Sequence, residues 1–205
     1  MTQSATASRG PRIDKYEERK RELGRDALSV LSELGYARTS LRDIAKASGF
    51  SLGVLHYYFV DKVELISYCV GLYKQDFVEQ IQLAVDQATD AGHLRERVFG
   101  VLVASVEREP EKHRLWYDIR AQSLFDETFR PAMWRIDRQI ESVITAFFVR
   151  LTELSGQSPQ VGPGSAYAML DGLFQRYLLR HLNGEDGACG DFRQALSQAV
   201  DAMMV

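Results

Sequence analysis

The sequence predicts an all-α protein of about nine helices. Three observations carry that expectation. Apolar residues recur at steps of three and four, as in Leu23, Ala27, Val30, Leu31 and Leu34, which is the spacing of one helical face. No segment alternates apolar and polar residues as a half-buried strand does. Capping and breaking residues punctuate the periodic stretches: Gly35, Ser40, Gly49, Ser51, Asp61 and the loop from Ser155 to Gly164. The helices fall into a three-helix N-terminal unit over residues 13–60 and a helical domain over residues 61–205. A Ser/Thr/Ala-rich stretch, residues 1–12, reads as a disordered tail.

The first helix runs from Arg12 to Gly35, with Arg19, Lys20, Arg21 and Arg25 on the face opposite its apolar stripe. Leu41 to Ala47 follows, with Ser40 as N-cap and Asp43 at the capping-box position. Ser48-Gly49 breaks it, because glycine takes the left-handed conformation of a helix C-terminus. Ser51 caps a second short helix, Leu52 to about Tyr57. Asp61 caps a long one, to about Ala91, with Glu64 at its box position. Leu94 to Glu109, Glu111 to Leu124, Asp126 to about Ser155, Ser165 to Leu182 and Asp191 to Met203 complete the set. Pro131 either bends the first turn of the seventh helix or marks its true start. No flexible linker separates the two parts, and the long helix joining them is stiff.

The chain is long enough for a sizeable core: 205 residues, 45% hydrophobic and 26% charged. No apolar run approaches the ~18–20 residues of a membrane span. The N-terminus has no hydrophobic segment of a secretory signal, so a cytoplasmic location is expected. Cys69 and Cys189 stand alone, without a CxxC pair or clustered histidines, so neither a disulfide framework nor a metal site is expected. No cofactor motif occurs. Net charge is −3, unevenly spread. Arg9 to Lys62 holds 11 Lys/Arg against 8 Asp/Glu, and the remainder 14 against 20. A basic end on an acidic body suits a protein that presents that end to phosphates.

Two short capped helices around a glycine turn are either an ordinary helical hairpin or a helix-turn-helix, whose second helix enters the major groove of DNA. The residues add to the pattern. Thr39, Ser40, Leu41, Ile44, Ala45, Ser48, Gly49, Phe50, Ser51, Gly53, Leu55, Tyr58, Phe59 and Lys62 resemble the DNA-binding segment of the TetR family of bacterial transcriptional regulators. His56 stands where that family usually has tyrosine. The resemblance spans some 24 positions; for the rest of the chain it implies a general architecture.

That resemblance implies double-stranded operator DNA as partner and places contacts on the second short helix. Leu55 and Phe59 point inward, leaving Leu52, Gly53, Val54, His56 and Tyr57 for the groove. Leu52 and Val54 suit thymine methyls. His56 can donate to a base or a phosphate, or is simply a surface histidine. Tyr57, Tyr58 and Lys62 suit phosphates, which position without reading sequence, although Tyr58 is equally suited to packing. Ser51 caps this helix. Ser40 and Arg42 sit at the preceding helix N-terminus, which favours anions.

The family resemblance also implies a homodimer built on the last two helices and a small-molecule effector held among the middle ones. The dimer candidates are Tyr167, Leu170, Phe174, Tyr177, Leu178, Leu196, Val200 and Met203, which internal packing would equally explain. The pocket candidates are His113, Trp116, Tyr117, Arg120, Gln122, Phe125, Met133, Trp134, Met169 and Asp171. They offer aromatic lining with sparse polar anchors, or a plain aromatic core. No HExxH, GxGxxG or GxxxxGK[ST] occurs, and the four histidines stand apart, so an enzyme is not expected. A helical dimeric protein-interaction module with a disused DNA head is the alternative. Activator and repressor are not distinguished by sequence.

Overall fold

The computed structural model describes residues 11–205. Among them lie nine α-helices: α1 Pro11–Leu34, α2 Leu41–Ala47, α3 Leu52–Tyr58, α4 Lys62–Asp86, α5 Ala91–Arg108, α6 Pro110–Gln122, α7 Arg130–Ser155, α8 Pro163–Leu182 and α9 Ala188–Met203. The all-α expectation holds. The predicted tail lies outside the described residues, except that Pro11 and Arg12 already belong to α1. The one strand-like pairing among the described residues is a bridge between Pro159 and Met204. It ties the α7–α8 loop to the end of α9.

Local side-chain chemistry sets most boundaries. Ser40 and Asp43 form a reciprocal capping box on α2, and Ser51 and Asp61 accept from Val54 and Glu64 backbone N–H groups. Gly49 closes α2 at a φ of +73°, a conformation that costs a residue bearing a Cβ. Three boundaries differ from expectation. α4 stops at Asp86, because Asp90 caps α5 by accepting from His93. α7 starts at Arg130, four residues late: Asp126 turns back to Thr128 by two hydrogen bonds, and Pro131 falls in the first helical turn. α9 starts early, at Ala188, directly after a left-handed Gly187.

One continuous apolar core runs through both parts of the chain. In the N-terminal unit, Leu23, Ala27 and Leu31 of α1 bury with Ile44, Leu55 and Phe59. The end of the predicted α1 stripe leaves the core: Val30 is half-buried and Leu34 exposed. Leu65, Ile66 and Cys69 carry the same core into α4. Gly24 matters here, since a Cβ would lie 3.0 Å from the ring of Tyr68; its absence lets α1 and α4 pack closely. Lys20 of α1 pairs with Glu64 of α4 at 3.0 Å. Arg114 of α6 donates to the Ser32 carbonyl of α1 at 2.8 Å. In the body α4 packs on α7 and α5, and α8 and α9 pair with each other over α5.

Candidate nucleic-acid interface and buried cavity

α3 is anchored through Leu55, with Phe59 just beyond its end, both fully buried. That leaves Ser51, Gly53, His56 and Tyr57 exposed. Leu52, Val54 and Tyr58 are half-buried against the core, so only part of each remains available to an external partner. Gly53 is informative. A Cβ built there meets nothing nearer than the Ser51 hydroxyl at 3.9 Å, and its φ is not in the left-handed region. The fold therefore does not require glycine at this position.

The flanking residues divide. Tyr58 stacks near Tyr16 of α1, with ring centroids 4.7 Å apart, and Tyr57 meets both rings edge-on at 4.9 and 5.9 Å. Tyr16 was not singled out by sequence; its side chain belongs to this surface because α1 lies against α3 there. Ser40 spends its hydroxyl on Asp43, at 2.5 Å. Asp43 is thereby held below the usual carboxylate range, chiefly by that hydrogen bond. Arg42 is exposed beside it, as are Arg38 and Lys46. Lys62 departs most from expectation. Its ammonium donates to the Tyr36 carbonyl at 2.7 Å and lies 4.0 Å over the Tyr36 ring. Burial lowers its pKa. It fastens the α1–α2 turn to α4.

The body contains a cavity between α4, α5, α6, α7 and α8. Phe77, Ile81, Leu102, Trp116, Ile140, Ile144, Leu170 and Phe174 make it apolar, and Lys74, Tyr117, Tyr167 and Asp171 are its polar members. Its free volume is about 30 Å³, room for about two waters. Its electrostatics are uneven. Asp171 accepts from Arg120 at 2.5 Å and from the Tyr117 hydroxyl at 2.9 Å. Asp137 accepts from the Tyr167 hydroxyl at 2.6 Å and pairs with Arg120 at 3.0 Å. Lys74 is only 2% exposed. Its ammonium meets His113 Nδ1 at 3.2 Å and lies 5.0 to 5.4 Å from the rings of Phe77, Trp116 and Tyr73. Burial pushes Lys74 down to about 7 and holds His113 well below its ordinary value. His113 Nε2 is buried without a partner.

The predicted pocket residues therefore separate. Trp116, Tyr117 and Asp171 line the cavity; Arg120 and His113 stand behind the polar members. Phe125, Trp134 and Met169 are 86%, 67% and 52% exposed and do not reach it. Phe125 lies in the turn that delays α7, while Trp134 and Met169 face outward from α7 and α8. Met133 is buried, but it borders a surface hollow with Trp134 instead. Gln122 ends α6.

The residues expected at the dimer interface pack mostly inside the single chain. Tyr167, Leu170, Phe174, Leu178, Leu196, Val200 and Met203 are all buried within the single chain. Tyr167, Leu170 and Phe174 line the cavity itself. Tyr177 is half-buried, stacked on Phe192 at 5.3 Å. The outer face of α8 carries a different apolar set: Met169, Leu179 and Leu182, with Ala168 and Gly172 between them.

A helix-turn-helix head, joined by one long helix to a helical body with an internal cavity, is the architecture of a one-component transcriptional regulator. The comparisons agree. Residues 25–69 match the pattern of bacterial regulatory proteins of the tetR family. Residues 94–205 match that of the C-terminal part of BetI-type transcriptional repressors. The chain belongs to the TetR family. It is similar to the transcriptional regulator BetI of Agrobacterium fabrum, 24% identical over 83% of this chain and 82% of that protein. It is also similar to PksA of Bacillus subtilis, 28% identical over 54% of each. A TetR regulator from Haloarcula marismortui has the same fold, with a TM-score of 0.76, 20% identity, and coverage of 92% of this chain and 100% of that one. So does FadR of Bacillus subtilis, solved with stearoyl-CoA: TM-score 0.71, 17% identity, 88% and 97% coverage.

Proposed function

We propose that this regulator is a cytoplasmic repressor that binds a near-palindromic operator as a homodimer and leaves it when a small molecule fills the body cavity. The observation that carries the reading is the exposed α3 face around Gly53. A helical glycine costs stability unless its bareness serves something. The fold has no use for it, whereas a DNA backbone or base edge approaching α3 does. Gly53, His56 and Tyr57 are the reading residues, with the exposed edges of Leu52 and Val54. Ser51 orients the helix, Tyr58 and Tyr16 shape its flank, and Arg42 with Arg38 and Lys46 supplies phosphate charge. Residues 13–60 are the DNA-binding unit and residues 61–205 the regulatory domain.

The resemblance of the C-terminal half to BetI-type repressors supports the repressor sign. The stearoyl-CoA seated in FadR supports a body that accepts small molecules in this fold. The outer α8 face supports the dimer: its small residues let a second α8 approach, and its apolar ones are exposed otherwise. The test is anisotropy of fluorescent DNA flanking the protein's own gene, at two salt concentrations, against a scrambled duplex. Tight, salt-sensitive and discriminating binding is expected. Equal weak binding to both duplexes at all protein concentrations refutes the reading for that operator, and selection from a random duplex pool then decides whether any site is preferred.

A further inference from the structure

Lys74 stands where a lysine is expensive. An ammonium removed from water needs a counter-charge or several acceptors. It has one neutral contact, His113 Nδ1, and three aromatic faces. The carboxylates nearby are already spent. Asp171 is held by Arg120 and Tyr117, and Asp137 by Arg120 and Tyr167. A second unpartnered polar atom, His113 Nε2, lies in the same cluster. When the charged Lys74 donates to Nδ1, the neutral imidazole carries its proton on Nε2, where no acceptor lies within reach. Lys74 borders the cavity, whose other walls are apolar and aromatic. Asp171 favours the Lys74 charge from across the cluster, but among the described residues no carboxylate reaches the ammonium within ion-pair distance, and the place of direct contact beside it is left to a guest.

We infer that the cavity takes an apolar monoanion, a carboxylate or equivalent on an aromatic or alkyl body, with the Lys74 ammonium as its counter-charge. The inference rests on the cavity being the effector site. The free volume of about 30 Å³ is smaller than any such guest, so binding spreads the surrounding helices. Entry of the anion also fixes the proton on Lys74. The other charged groups around Lys74 are Arg120, Asp171, Asp137, Glu109 and Lys112, and the anion adds one negative charge to them. Lys74 is about half-protonated near pH 7 in the empty protein. Affinity therefore weakens above that pH, by roughly 25-fold between pH 6.5 and 8.5.

The experiment is calorimetric titration of the full-length protein, without DNA, with three probes built on eight-carbon chains: octanoate, 1-octanol and octyltrimethylammonium. Octanoate is expected to bind at least tenfold more tightly than the other two. In Lys74→Met the octanoate affinity falls at least tenfold to the level of 1-octanol, while 1-octanol binding is kept. Lys74→Gln, which retains polarity without charge, loses the same preference, and thermal melting of both variants confirms folding. Tightest binding of octyltrimethylammonium overturns the inference. So does an octanoate preference that survives in both variants, or no octanoate binding at millimolar concentration. Because no DNA is present, these outcomes are separable from failure of the repressor reading, which shows only as loss of sequence-specific DNA binding.

Discussion

Gly53→Ala separates folding from function with opposite signs. The position is helical, exposed and free of strain, and an added methyl has no neighbour closer than 3.9 Å. Replacing glycine there reduces the entropy of the unfolded chain and improves helix propensity, together about 0.5–1 kcal/mol of stabilisation. For a chain of this size that raises Tm by roughly 1–4 °C. On the DNA side the same methyl occupies the space a groove edge needs. Loss of close approach costs about 1.4–3 kcal/mol, roughly ten- to hundredfold in operator affinity. Differential scanning calorimetry reads the first effect and anisotropy on the selected operator reads the second. A variant that is stabilised and binds the operator as well as the parent refutes the assignment of α3 as the reading element. A destabilised variant refutes the structural premise that Gly53 has open space.

Four further outcomes follow from the same geometry. Leu179→Glu, on the outer α8 face, is expected to give monomers by sedimentation, whereas Phe174→Ala stays dimeric and loses about 3 kcal/mol of stability as a buried aromatic; the reverse pattern returns the interface to Phe174. Lys62→Ala removes a cation–aromatic contact and a charged hydrogen bond, together about 1–2 kcal/mol. Its DNA salt slope should stay unchanged, and a slope lower by about one unit restores a phosphate role. Lys74 titrates in the folded state near 7 against 10.5 when unfolded. The unfolded chain thus binds more protons between those values, so stability rises with pH from about 7 towards 10.5, at up to about 1.4 kcal/mol per unit. Urea unfolding at pH 7, 8 and 9 should show this rise in the parent and not in Lys74→Met. His56→Ala should alter which operator positions are preferred in a selection from random duplexes, and an unchanged preference removes His56 from the reading set.

The sequence speaks most clearly where structure is set by neighbours in the chain. Ser40 with Asp43, Ser51 with Val54 and Asp61 with Glu64 all cap where their spacing said, because a cap needs only three or four residues. It is silent where an element has two apolar sides. α8 carries Leu170, Phe174 and Leu178 on one side and Met169, Leu179 and Leu182 on another. Periodicity finds both without saying which meets the body. Trp134 and Phe125 are harder to place because large aromatics imply burial: Trp134 falls on the outer face of α7, off the stripe of Met133, Ile136 and Ile140, and Phe125 lies in the turn before that helix. Lys74 is the opposite case, because a lysine in a long helix reads as solvent-facing. A signal was present. It lies four residues after Val70 and three before Phe77, squarely on the apolar stripe of α4.

Coupling between cavity and head has two physical routes, and α6 is the shorter. α4 begins at Lys62, fastened to Tyr36, and reaches Lys74 after twelve residues, about 18 Å along a stiff helix. α6 carries Trp116 and Tyr117 into the cavity, while its Arg114 grips the Ser32 carbonyl of α1. Beyond α6, the buried Phe129 packs edge-on against Tyr36 at 5.4 Å, the same ring that Lys62 covers. A guest larger than the present free space must spread the helices that line it, and on the proposed reading α6 parts from α4. On the proposed reading that parting is felt at both ends of the head: at α1 through Arg114, and at the Tyr36 junction through Phe129 and Lys62. The effector need only prefer the parted arrangement by 1–3 kcal/mol to shift operator affinity 5- to 150-fold. An anion seated on Lys74 has a source for that preference in the direct contact it makes with the ammonium, since Asp171, the carboxylate in the cavity wall, is itself held by Arg120 and Tyr117.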